Sequence, residues 1–255
     1  MIETNSISIT EDALLYQVEC PLRSNGLASL PESPVLSCSK STCRWLISEI
    51  AVGRQPTANQ TREYYDWAWQ RTKFFQSRDI IPQKDYNRHL IEGVRACSRL
   101  REIIWKSEIL RPVSPYELTI DGTGITGEYA VLRSSHRKRQ ASVLYLRYGG
   151  IKIRPIIPDI VSFARWLHVS NLSEAREWGL DRIGVKHYWV SQYLAADHHP
   201  EQSLAVGVVH GAIGVVSRPA FPVVGEHCLS CPTRTCNPST SAARALCPDE
   251  PSILL

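Results

Sequence analysis

Eight cysteines are distributed unevenly along this 255-residue chain, and their placement constrains the fold more than any other feature. Cys20, Cys38, Cys43 and Cys97 lie in the first half, whereas Cys228, Cys231, Cys236 and Cys247 crowd into the last 28 residues. The run Cys228-Leu229-Ser230-Cys231-Pro232-Thr233-Arg234-Thr235-Cys236 places three thiols within nine residues. Two sulfurs separated by two residues grip one metal centre because the turn between them brings both side chains to one side. The third thiol completes a tripod, which still needs a fourth ligand from elsewhere. Cys20 is the favoured fourth ligand, because Pro21 ends the preceding helix and exposes the thiol. Cys247 is a local competitor that would make a self-contained zinc knuckle. Cys38, Cys43 and Cys97 read as small core residues.

Length and composition set the remaining bounds. With 43% hydrophobic residues the chain buries one substantial core. No stretch approaches the roughly 18 uninterrupted apolar residues of a membrane span, so no membrane partner is expected. Met1-Ile2-Glu3-Thr4-Asn5 is polar and acidic, which does not read as a signal peptide. Clustered thiols without an export signal are expected to be reduced, and the expected location is the cytoplasm. The net charge of +4 says little, but 22 of the 29 basic residues are Arg, whose planar fork of donors suits phosphate oxygens. A genome rich in G and C produces the same bias through codon choice.

The pattern along the chain is α/β, with helices first, a meander in the middle and a cysteine cap at the end. Residues 7–19 read as a helix with Thr10 as N-cap, and 24–34 as a loop. Helical stretches follow near 39–50, 60–77 and 86–110; in the last, Leu90, Val94, Cys97 and Ile104 recur at helical spacing. Tyr116–Ile120, Glu128–Leu132 and Ser142–Tyr148 read as three consecutive strands. The turn before the third, Ser134 to Gln140, contains His136, Arg137, Lys138 and Arg139. A helix is expected from Pro158 to about Val169, then two β-like runs, Ile183–Val190 and Leu204–Val209. The divisions expected are 1–35, an N-terminal helix carrying Cys20; 36–112, a helical region; 113–220, the α/β core; and 221–255, the cysteine segment and tail. All four belong to one compact domain. Tyr64, Tyr65, Trp67 and Trp69 suit either a buried core or a surface that stacks on bases, and His198, His199 and His210 read as structural.

Tyr16…Cys20-Pro21 together with Gly225-Glu226-His227-Cys228-Leu229-Ser230-Cys231-Pro232…Cys236 resembles the iron–sulfur branch of the RecB-type PD-(D/E)XK nucleases. That branch includes CRISPR-associated adaptation nucleases, the AddB subunit and phage exonucleases. The resemblance implies a restriction-endonuclease-like core, a mixed sheet flanked by helices. It also implies a [4Fe-4S] cluster on Cys20, Cys228, Cys231 and Cys236 that staples the chain ends together, with zinc as the alternative. The last ligand spacing is four residues, where the family more usually has five.

The resemblance extends through Gly127-Glu128-Tyr129-Ala130, Val143-Leu144-Tyr145-Leu146-Arg147 and Asp159-Ile160-Val161-Ser162-Phe163. It implies that Ala130 and Tyr145 stand where the family has its two metal-binding acids, and Arg147 where it has its lysine. The family's upstream histidine is missing from Tyr64–Gln70. Hard dications need carboxylate oxygens, and an arginine that stays protonated is no base, so Mg²⁺ or Mn²⁺ is doubtful here. Glu128 is the possible substitute acid, with Asp121, Asp159 and Lys152 near the sheet's ends. Arg147, Arg137, Lys138 and Arg139 are candidate phosphate contacts.

Three functions follow. The first is a non-catalytic nuclease-fold protein that binds DNA or a DNA-processing partner. The second is a divergent, active metal-dependent nuclease. The third is an adaptor in a phage-defence or recombination complex that makes no DNA contact.

Overall fold

The computed structural model describes residues 7–11, 13–15, 33–134, 139–147 and 160–216. The four favoured cluster cysteines, Cys247, the turn residues His136, Arg137 and Lys138, and Lys152 and Asp159 lie outside the described residues. The described elements run β1 (Ile7–Thr10), α1 (Pro34–Ala51), α2 (Ala58–Trp69), α3 (Lys73–Gln76), α4 (Gln83–Trp105), β2 (Ser107–Ile120), β3 (Thr123–Ser134), β4 (Gln140–Arg147), α5 (Ile160–Asn171), α6 (Ser173–Glu177), β5 (Arg182–Trp189), β6 (Leu194–His198) and α7 (Gln202–Val216).

Local chemistry accounts for many of the boundaries. α1 begins with Pro34, whose missing N–H costs nothing in a first helical turn. At α2 the Thr57 hydroxyl accepts from the Gln60 amide at 3.2 Å, while Gln60 Oε1 accepts from the Thr57 amide at 2.8 Å. β2 and β3 meet at Asp121-Gly122, both at positive φ (50° and 75°), the two-residue turn that matches strand twist. α4 crosses α2 at Gly93, where any Cβ would collide with the Tyr65 ring.

The result is a mixed six-stranded sheet between two helical layers. β2 and β3 form a long antiparallel pair, β4 runs antiparallel to β3, β5 parallel to β4, and β6 antiparallel to β5. Side chains alternate across the strands. Tyr129, Val131, Ala141, Val143 and Val185 join Phe163 and Leu167 of α5 and Val209 of α7 on one face. Ala130, Leu132, Leu144, Leu146 and Tyr188 join Leu46 of α1, Trp69 of α2 and Leu100 of α4 on the other.

Three sequence expectations need correction. Ile7–Thr10 is a strand, parallel to β3, and not helix; its Ile-Ser-Ile-Thr alternation has period two. The helix starts one step later, where Thr10 Oγ1 accepts from the Ala13 amide at 3.2 Å, as an N-cap should. Leu204–Val209 is helix α7 and not strand, because the apolar run extends to Val216, too long for one strand. Residues 107–110 belong to β2 and not to the preceding helix, which ends at Trp105. Among the described residues, no helix is long and apolar enough to cross a membrane.

Candidate functional site

One edge of β3 is shared by two strands. β1 pairs with residues 123–126, and β4 with 131–133. Beyond Val143, β4 leaves β3 and pairs with β5 alone, as far as Arg147. Among the described residues no strand covers 127–130 on that edge, and the sheet is notched there. The notch opens a cleft of about 470 Å³ bounded by α1 on one side and α5 on the other.

Among the described residues, two carboxylates face this cleft, and an arginine holds each. Glu11, just past the end of β1, is buried with a side-chain exposure of 8%. Arg165 of α5 donates to it twice, through Nε to Oε2 at 2.9 Å and through Nη2 to Oε1, and the Tyr116 hydroxyl adds a bond of 2.8 Å to Oε2. Burial acts against the arginine's charge, but the hydrogen bonds and charge of Glu11 outweigh it and raise its pKa above the ordinary value. On the opposite side, Arg44 of α1 pairs with Glu128 of β3, with side chains 55% and 46% exposed. Lys40, one turn before Arg44, also lines the cleft.

Glu128 and Tyr145, anticipated as substitute acid and degenerate acid, therefore border one cavity. Ala130 borders it too, but faces the other side of the sheet from Tyr145: Ala130 packs with the α1–α4 layer and Tyr145 with the α5 layer. The alternation along each strand explains this: the last β3–β4 pair is Val131 with Val143, Ala130 is one residue from Val131 and so points to the other face, and Tyr145 is two residues from Val143 and so shares its face. Arg147, two residues beyond Tyr145, has its guanidinium carbon 5.6 Å from the Tyr145 ring and 5.9 Å from that of Trp189. Arg165 lies 5.1 Å from the same Tyr145 ring. The Tyr145 ring thus has two guanidinium groups within about 6 Å of its centre.

The other sequence candidates lie elsewhere. Arg139 is at the far end of β4, some 20 Å away at about 3.3 Å per residue, and pairs with Asp181. Asp121 sits on the β2–β3 turn beside His210. Cys38, Cys43 and Cys97 are buried in the α1–α4 layer. Cys43 borders the cleft, and burial pushes its thiol up to about 12, which disfavours the thiolate. The aromatic cluster divides: Tyr65 and Trp69 are core, at 0% and 2% exposure, while Trp67 stands 45% exposed.

Glu11, Arg165, Lys40 and Arg44 were not singled out from the sequence. A signal existed for Arg165, the lone full charge within Ile160-Val161-Ser162-Phe163-Ala164-Arg165-Trp166-Leu167. A charge in so apolar a helix needs a buried partner. No signal marks that partner as Glu11. Among the described residues, no group of three or more His, Cys, Asp or Glu is placed to hold a metal ion. Comparison with known proteins finds no matching family model and no matching curated protein.

Proposed function

We propose that this chain is a nuclease-fold protein that holds DNA at the notch without cutting it. One observation carries the reading: both carboxylates that the described residues bring to the cleft, Glu11 and Glu128, are bound by arginines. A hard dication needs carboxylate oxygens of its own. The neighbouring strand positions, Ala130, Leu144, Tyr145 and Leu146, offer no carboxylate. Lys40 and the half-exposed Arg44 line the same cleft, and a planar guanidinium group suits phosphate oxygens. A mixed sheet flanked by helices is also what the resemblance to PD-(D/E)XK nucleases implies.

The same reading includes a structural [4Fe-4S] cluster on Cys20, Cys228, Cys231 and Cys236. Thiolates are the donors that such a cluster takes. It is supported by Leu14 and Ile213, which precede the two cysteine segments and lie in one apolar layer. Anaerobic purification should give a brown protein containing iron, whereas a colourless protein carrying zinc would replace that assignment.

Fluorescence anisotropy with labelled DNA tests the function. Binding should weaken steeply with salt and proceed equally well in Mg²⁺ or in chelator, with the DNA left intact. Cleavage that Glu128→Ala abolishes would establish the active nuclease instead. Failure to bind DNA at low salt, with another protein co-purifying stably, would select the adaptor.

A further inference from the structure

We infer that Trp45, Tyr64, Trp67 and Arg71 form a stacking platform for a single-stranded nucleic acid, leading to the lip of the cleft. The inference rests on the proposed DNA-binding reading and names its substrate class.

The platform crosses from α1 to α2. The Trp45 and Tyr64 rings are stacked, with centroids 4.7 Å apart and planes 8° from parallel. Tyr64 meets Trp67 at 5.1 Å, and the Arg71 guanidinium lies 3.7 Å from the Trp67 ring centre. Arg71 Nη1 also donates to the Trp67 carbonyl at 3.1 Å, which fixes the guanidinium over the indole. The helical layer has its buried aromatic core in Tyr65, Trp69 and Tyr86; Trp45 packs partly against it, while Tyr64 and Trp67 lie outside it. Trp67 remains 45% exposed.

Position and charge identify the occupant. On α1, Lys40 and Arg44 are one helical turn apart and line the cleft. Ser41 and Trp45 form the neighbouring stripe, and they touch Tyr64. A strand leaving the cleft past Arg44 therefore meets the aromatic row directly. Aromatic rings and arginine planes stack on unpaired bases, while arginine and lysine hold the phosphates between them. A duplex keeps its bases stacked inside and gains nothing from such a row. Asp66 of α2 is engaged with Arg62 at 3.9 Å, which lowers its repulsion of a phosphate chain.

The test compares a fluorescein-labelled oligo-dT with a labelled duplex of equal length on the full chain. Trp67→Ala and Arg71→Ala are made separately and checked for folding by circular dichroism. Each should weaken oligo-dT binding roughly tenfold or more while leaving duplex binding unchanged. Oligo-dT should also quench tryptophan fluorescence in the parent protein. Parental oligo-dT affinity in both variants overturns the platform, as does a chain that binds duplex but not oligo-dT. In either case the DNA-binding reading survives. If a folded chain binds neither probe, that reading fails and the platform with it.

Discussion

Arg165 and Glu11, 154 residues apart in sequence, meet as a two-point ion pair at the notch of the sheet. The pair joins β1's end to α5 and places a fixed guanidinium beside an acid of the cleft. Removing one partner leaves a buried charge uncompensated, at a cost of about 3–5 kcal/mol. Arg165→Ala and Glu11→Gln should each lower the unfolding free energy from urea melts by that order. Joint replacement by Met at 165 and Gln at 11 should recover part of the loss. Strictly additive losses would show that the two residues do not act together.

The companion pair behaves differently. Arg44 and Glu128 are each about half exposed, so solvent and salt screen them. Arg44→Ala should change stability by less than about 1 kcal/mol, yet weaken DNA binding and flatten its salt dependence. A large stability loss in thermal unfolding, with DNA affinity unchanged, would assign Arg44 to the scaffold alone.

Gly127 lies where the Glu11 carboxylate presses on the β3 backbone, and a Cβ there would collide with it and with the Tyr116 ring. Gly127→Ala should cost about 1–3 kcal/mol, as overpacking does. In a Glu11→Ala background it should cost less, because one obstacle is gone. A double-mutant cycle on urea midpoints measures the difference.

His187 gives the fold an acid sensitivity. It is fully buried, and neither ring nitrogen has a hydrogen-bond partner among the described residues. Burial first, then the charges of Arg147 and His198, hold its pKa down at about 3. In the unfolded chain a histidine takes up its proton near pH 6.5. Below that pH the unfolded state binds the proton first, so stability declines until the pH nears 3. Above about 6.5 this residue contributes no pH dependence. His187→Phe should lose less stability than the parent between about pH 7 and about pH 4, by roughly a few kcal/mol. Parallel stability profiles would remove His187 from the account.

Periodicity and turn chemistry made most helices and the central meander legible, because α1 and α4 each follow one clear repeat and turn residues divide the strands. Ile7–Thr10 was missed because four residues give a helix pattern and a strand pattern equal room, and only pairing with β3 decides. α7 was missed because Val and Ile runs suit strands locally, and its length decides otherwise. The site was legible only in part. Glu128 and Tyr145 could be placed near one another by aligning motifs, but the face of each side chain depends on how the strands alternate and pair, which sets Ala130 and Tyr145 on opposite faces. Glu11 could not be found at all, since its value comes from contacts with Arg165 and Tyr116, distant in sequence.

Manganese titration followed by electron paramagnetic resonance, run beside a DNA cleavage assay on the same preparation, tests the central claim most directly. Arginines occupying Glu11 and Glu128 should leave the Mn²⁺ signal that of the free aqueous ion and the DNA uncut. One Mn²⁺ bound per chain, lost in Glu11→Gln or Glu128→Gln and accompanied by cleavage, would contradict the account.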